Sequence, residues 1–234
     1  MLGFREIYAI WRRDNSLAQA IRDSYAMLEK THGMFRSSVQ RLRTGEAAKV
    51  SLSVHEEDRI INEYQIEVRK KVLRYLAITG TVDLIPGLVL TSIIIDIERI
   101  GDYTKNITEL AMVQQCELKC GSFEPLVCDL EKTVERLFCE VPPLLASSNR
   151  QVARKLCDEC SWLRKGADDV LVELIKGADE SLSRGQTAAT ALYVRYLKRV
   201  GAHLLNILSS VVNPFERIGY RVEDRDSGRF SRAD

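Results

Sequence analysis

Displaced by one hundred residues, this chain lies over itself. Ile97-Glu98-Arg99-Ile100-Gly101-Asp102 falls on Leu197-Lys198-Arg199-Val200-Gly201-Ala202, and Asn106-Ile107 falls on Asn206-Ile207. Near the start of each half, Leu28-Glu29-Lys30-Thr31 recurs as Leu130-Glu131-Lys132-Thr133. A duplicated unit folds twice in the same way, so one local reading must serve both halves. Apolar residues recur at three and four residue intervals nearly everywhere, and the alternation of half-buried strands is hard to find. The predicted class is all-α, with two tandem three-helix bundles in antiparallel up-down order.

Capping chemistry places the helices. Phe4, Ile7, Tyr8 and Trp11 form the apolar side of a short N-terminal helix, which ends at Asp14-Asn15-Ser16. Each of these residues can accept the unpaired amides of a new first turn. The first long helix then runs to Thr44-Gly45 and the second from about Ala47 to Ile78, where Gly80 supplies a left-handed stop. The apolar positions of the second are Val50, Val54, Ile61, Ile66, Val68, Val72, Leu73 and Leu76. Asp83 is placed to cap the third, with Pro86 tolerated in its first turn. Leu88, Val89, Leu90, Ile93, Ile94, Ile95, Ile97 and Ile100 cover more than one face of that helix, which predicts a central position. A linker near 117–122 opens the second copy. Its helices reach toward Pro142-Pro143, follow Ser147-Ser148-Asn149, and follow Ser183-Arg184-Gly185 to end before Asn213-Pro214. The expected units are 1–120, 121–214 and a polar tail over 215–234.

Charge and cysteine usage narrow the function classes. Lys plus Arg number 34 against 33 Asp plus Glu, without a basic block, so the chain is not expected to bind nucleic acid. The N-terminal MLGFREIYAIWRRDNS carries charges every few residues, unlike a signal peptide, and the Leu84 to Ile97 run is too short and interrupted to cross a bilayer. A cytoplasmic protein with six reduced thiols is expected.

One segment carries chemistry. Glu98 and Asp102 are four apart on one helix, a spacing at which like charges repel by about 0.2–0.5 kcal/mol, and Asn106 continues their stripe. A hard cation would compensate them. Asp58 and Asn62, also four apart, can face them from the preceding helix, with His55 and Glu57 nearby. The plainer alternative is a solvated face in which Lys105, three residues after Asp102, screens the charge.

Residues 96 to 109, Asp-Ile-Glu-Arg-Ile-Gly-Asp-Tyr-Thr-Lys-Asn-Ile-Thr-Glu, closely resemble the signature of the PhoU family of phosphate-uptake regulators. Glu98 and Asp102 match its acidic pair, Asn106 its terminal Asn, and Asp58 with Asn62 its second acidic motif. Asp83-Leu84 resembles the start of its helix, although Ile85 stands where that family has Arg. The resemblance implies a non-enzymatic cytoplasmic homodimer. It also implies contacts with a phosphate ABC transporter and a sensor histidine kinase, with membrane association through those partners only. A metal is implied as well, iron, zinc, manganese or magnesium, held by Glu98, Asp102, Asp58 and Asn62. The second copy departs from the pattern: Lys198 and Ala202 replace the acidic pair, and Trp162 stands opposite Asn62, leaving Asp158 without a carboxylate companion. A second cluster is not expected, because an ammonium repels a dication.

Glu29-x-x-His32 has the spacing of di-iron carboxylate bundles but occurs once, so an oxidase or hydrolase is not favoured and His32 reads as a surface or interface residue. Likewise, His203 reads as a packed side chain. Cys116, Cys120, Cys157 and Cys160 could make a four-thiolate zinc site, but inside long helices they read as core thiols. No Gly-rich phosphate cradle is present. The competing functional reading is a helical interaction module that binds no metal and has a partner outside phosphate transport.

Overall fold

The computed structural model describes residues 15–45 and 53–220, the side chains of 53–55 excepted. The expected N-terminal helix, the start of the second helix, the His55 side chain and the end of the polar tail lie outside the described residues.

The first long helix, α1 (Ser16–Thr44), starts where Asn15 accepts the amide of Ala18 at 2.9 Å and stops where Gly45 takes a left-handed φ of 71°. Its buried face is spaced for a helix: Leu17, Ile21, Leu28, Phe35 and Leu42. Ser24, Thr31 and Ser38 recur every seventh residue on that face, and each hydroxyl donates to a carbonyl of its own helix, at 2.8, 2.8 and 2.7 Å. Small satisfied hydroxyls let a neighbouring helix approach without burying an unpaired polar group.

Two further helices, α2 (Ser53–Thr79) and α3 (Leu84–Gln114), complete the first bundle. α2 is the outer member. Ile61, Val68 and Val72 are buried, whereas Ile66 and Leu73, which the apolar spacing assigns to the same face, remain 49% and 71% exposed. α3 is central as predicted, packing on α1, α2 and a helix of the second copy. Asp83 does not cap it. That carboxylate is buried and accepts a hydrogen bond from Tyr75 of α2 instead.

After an irregular linker and a 3-10 turn at Gly121–Phe123, the second bundle comprises α4 (Glu124–Ser147), α5 (Arg150–Glu159), α6 (Trp162–Lys176) and α7 (Arg184–Val212). α4 continues through Pro142 and Pro143 and ends at Ser147. The single fifth helix of the sequence reading is broken in two. At Cys160-Ser161 the amides of Ser161 and Leu163 bond three residues back, and the Ser161 hydroxyl donates to the Asp158 carbonyl, so the chain turns there. α7 starts as predicted, with Ser183 accepting the Gln186 amide at 3.2 Å.

The two bundles meet along α3 and α7, the helices that carry the repeated motif. Tyr103 and His203, equivalent under the one-hundred-residue offset, stack across this seam with ring centroids 5.8 Å apart. His203 Nδ1 donates to Asp96 at 2.8 Å, and Arg199 Nε donates to the Tyr103 hydroxyl at 3.2 Å. His203 is the packed histidine that the sequence predicts. A glycine in each motif lets the outer helix come close: a Cβ on Gly101 would sit 3.1 Å from Ile61, and one on Gly201 would sit 2.7 Å from Leu163.

Candidate metal and regulatory site

Antiparallel packing of α2 on α3 brings the predicted stripes together. Glu98 and Asp102 lie one turn apart on α3, and Asp58 reaches them from α2. Burial, then Asp102, push the Glu98 carboxyl above its ordinary value; Arg99 opposes this, and Asp58 adds to it. Asp58 thus shares an electrostatic neighbourhood with Glu98 and Asp102, but the oxygens of the three do not close to ligand spacing with one another. Asn62 lies half-buried one turn beyond Asp58.

Their charge is countered from within the chain. Lys105 Nζ stands 3.1 Å from Asp58 Oδ1 and 3.7 Å from Asp102 Oδ1, tying α2 to α3. Arg99 lies 3.2 Å from Asp102 and 3.6 Å from Glu98. Burial works against the Lys105 charge, but Asp58 and Asp102 hold its pKa above the ordinary value. The donor set suits a hard divalent cation in kind, and such an ion would have to displace this ammonium.

The second copy differs more than an even offset suggests. Because Ile61 meets Gly101 and Leu163 meets Gly201, the outer helices correspond two residues beyond the one-hundred-residue register. Cys160, not Asp158, occupies the position of Asp58, and Arg164, not Trp162, that of Asn62. Lys198 is bound by both oxygens of Asp168, at 2.7 and 2.9 Å. An ammonium–carboxylate pair stands where the first copy has its acidic cluster.

The four-thiolate alternative is not assembled among the described residues, where the one group of three potential ligands held closely together lies elsewhere, at His32, Glu135 and Cys139. Burial raises the thiols of Cys120 and Cys160 to about 11 and that of Cys157 to about 12, so they stay protonated at neutral pH.

The family model for the PhoU domain matches residues 25–111, the stretch that contains α2 and most of α1 and α3. That stretch is similar to a PhoU domain. Its likeness to solved structures extends through both bundles. The crystal structure of PhoU from Pseudomonas aeruginosa superposes with a TM-score of 0.73 at 21% identity, over 84% of this chain and 95% of that one. The phosphate transport system regulatory protein PhoU from Streptococcus pneumoniae gives a TM-score of 0.75 at 16% identity, over 88% and 97%. No curated protein matches the chain. The all-α class and the two-bundle architecture are thus the fold of these PhoU structures, over nearly their full length.

Sequence reasoning did not find two clusters at the other boundary between the bundles. Arg43 of α1 is bound by Glu124 and Glu131 of α4, each at 2.8 Å, and His32 of α1 meets Glu135 of α4. The available signal was helical spacing: Glu131, Glu135 and Cys139 recur every four residues on one stripe of α4.

Proposed function

We propose that this chain is a non-enzymatic regulator of phosphate uptake that acts in the cytoplasm through contacts with a phosphate transporter or its sensor kinase. The observation that carries this reading is the similarity to a PhoU domain over residues 25–111, set in a chain that superposes on whole PhoU structures. No helix among the described residues is long and apolar enough to cross a membrane, so membrane association would come through a partner. Leu73, Ile78 and Val82, all more than 70% exposed near the α2–α3 turn, are the apolar surface we assign to that partner. Homodimerisation belongs to the same reading. Deleting the gene should leave phosphate uptake high in phosphate-rich medium, and the wild-type chain, not a Leu73→Glu/Val82→Glu variant, should restore the restraint. Uptake indifferent to the deletion would remove phosphate control from the reading.

Within this proposal, a divalent metal binds the first repeat in exchange for the Lys105 ammonium. Glu98, Asp102 and Asp58 would be its carboxylate ligands, with Asn62 adding an amide oxygen, and the bound ion would supply charge that holds α2 to α3. Lys105→Ala should tighten Mn²⁺ binding about tenfold, the equivalent of about 1.4 kcal/mol, and Asp102→Asn should weaken it. Isothermal titration calorimetry reads both changes. The Lys105 bridge itself favours the second reading, an interaction module whose acidic cluster binds nothing. Absence of Mn²⁺ binding in both the wild type and Lys105→Ala would select it.

A further inference from the structure

α1 and α4 belong to different repeats, and side chains of three metal-binding types converge where they touch. His32 Nε2 lies 2.9 Å from Glu135 Oε1, and Cys139 Sγ lies 3.9 Å from the same oxygen. One ligand atom from each of the three falls within 4.8 Å of the other two, the only such triple among the described residues. Tetrahedral zinc, with ligands at its usual bond lengths, sets donor atoms about 3.3–3.8 Å apart, so small side-chain rotations convert the observed spacing into a coordination shell.

The surroundings prepare each ligand. Glu135 and Cys139 are four apart on α4 and share a face. The His32 ring stacks on Phe138, centroids 4.7 Å apart and 4° from parallel, which fixes the imidazole plane with its Nε2 toward Glu135. Cys139 is exposed, so the fourth coordination position is open to water. A thiolate, an imidazole and a carboxylate together suit zinc or cobalt rather than magnesium or calcium. Arg36, one turn beyond His32, donates to Glu135 through Nε at 2.6 Å. Its side chain is 63% exposed and free to swing into solvent, as Lys105 does not do so readily at its half-buried site.

We propose that His32, Glu135 and Cys139 form a zinc site that clamps the first repeat to the second, with Arg36 as the resident cation that zinc displaces from Glu135. On binding, Cys139 loses its thiol proton to solvent, His32 offers a neutral ring nitrogen, and Glu135 exchanges a guanidinium for the metal. The site shares no residue with the acidic cluster of α2 and α3, and it stands or falls apart from the phosphate reading.

Co²⁺ added to the full chain under a non-thiol reductant tests it. The wild type should develop a sulfur-to-cobalt charge-transfer absorption that saturates at about one equivalent and is erased by Zn²⁺. Cys139→Ser should lose the band, and His32→Gln should weaken Co²⁺ binding about ten- to a hundredfold. Arg36→Ala should tighten it about two- to fivefold by removing a competing exposed ion pair. An Asp102→Asn variant should keep the band, and circular dichroism should show every variant folded. No charge-transfer band in the wild type, or an equal band in Cys139→Ser, overturns the assignment.

Discussion

Arg43→Ala should lower the stability of the chain by about 3 kcal/mol and its Tm by roughly 6–12 °C. The guanidinium is mostly covered, with 18% of the side chain exposed, and it joins three parts of the molecule. From the last turn of α1 it binds Glu131 and Glu124 of α4 at 2.8 Å, donates to the Leu118 carbonyl of the linker at 3.3 Å, and lies 5.7 Å over the ring of Tyr193 on α7. Tyr193, fully buried, donates its hydroxyl to Glu131 as well. Burial disfavours the Arg43 charge, but the hydrogen bond and charge of Glu131, with Cys120 and Tyr193 adding to them, hold the pKa above the ordinary arginine value. Removing the guanidinium leaves Glu131 covered and short of its counter-charge, which costs far more than breaking a pair in water. Urea denaturation should show a lower midpoint at unchanged m-value. Arg43→Lys, which keeps the charge and loses the planar fork, should recover about half of the loss. A change below about 0.5 kcal/mol in Arg43→Ala would mean that the network is solvated rather than structural.

Two residues further on, Gly45→Ala should cost about 2–5 kcal/mol, from a left-handed backbone penalty of about 1–2 and a steric term of about 1–3. Gly45 ends α1 at φ 71°, and a Cβ there would sit 2.7 Å from the Glu117 amide nitrogen and 2.9 Å from the Cys116 carbonyl carbon. Both clashing atoms are backbone of the linker, which is tied down by the Leu118 amide donating to the Leu42 carbonyl at 3.0 Å. The linker must lift away or α1 must fray. Gly80 supplies the control: at φ 68° it has nothing within 4 Å of a built Cβ, so Gly80→Ala should cost only the backbone part, about 1–2 kcal/mol. Equal losses at the two positions would show that contact with the linker is unimportant. Arg43 and Gly45 touch the same segment, so their effects should not add.

The joint between the repeats was the least legible part of the sequence. Asn15, Gly45 and Ser183 announce their roles locally, because a cap requires particular residue types over a few positions. Ser161 gave less warning. No proline or glycine marks the break between α5 and α6, and the sequence reads as one continuous helix there. The two-residue shift between outer helices was hidden for a related reason: the offset that aligns α3 with α7 was applied to segments that follow their own packing against those glycines. Lys105 was visible as a neighbour of Asp102 along α3, but its reach to Asp58 depends on how α2 lies against α3.

By itself the sequence determined the all-α class, the duplication, the central role of α3 and the stripe carrying Glu98 and Asp102, since each is written in the spacing of residues along one helix. Only tertiary structure decided that Lys105 reaches Asp58, that Lys198 pairs with Asp168, and that His32 meets Glu135 and Cys139. Those pairings join residues tens of positions apart. Helical periodicity specifies which side chains share a face, while the angle and register at which two faces meet are settled by the packing of many side chains at once.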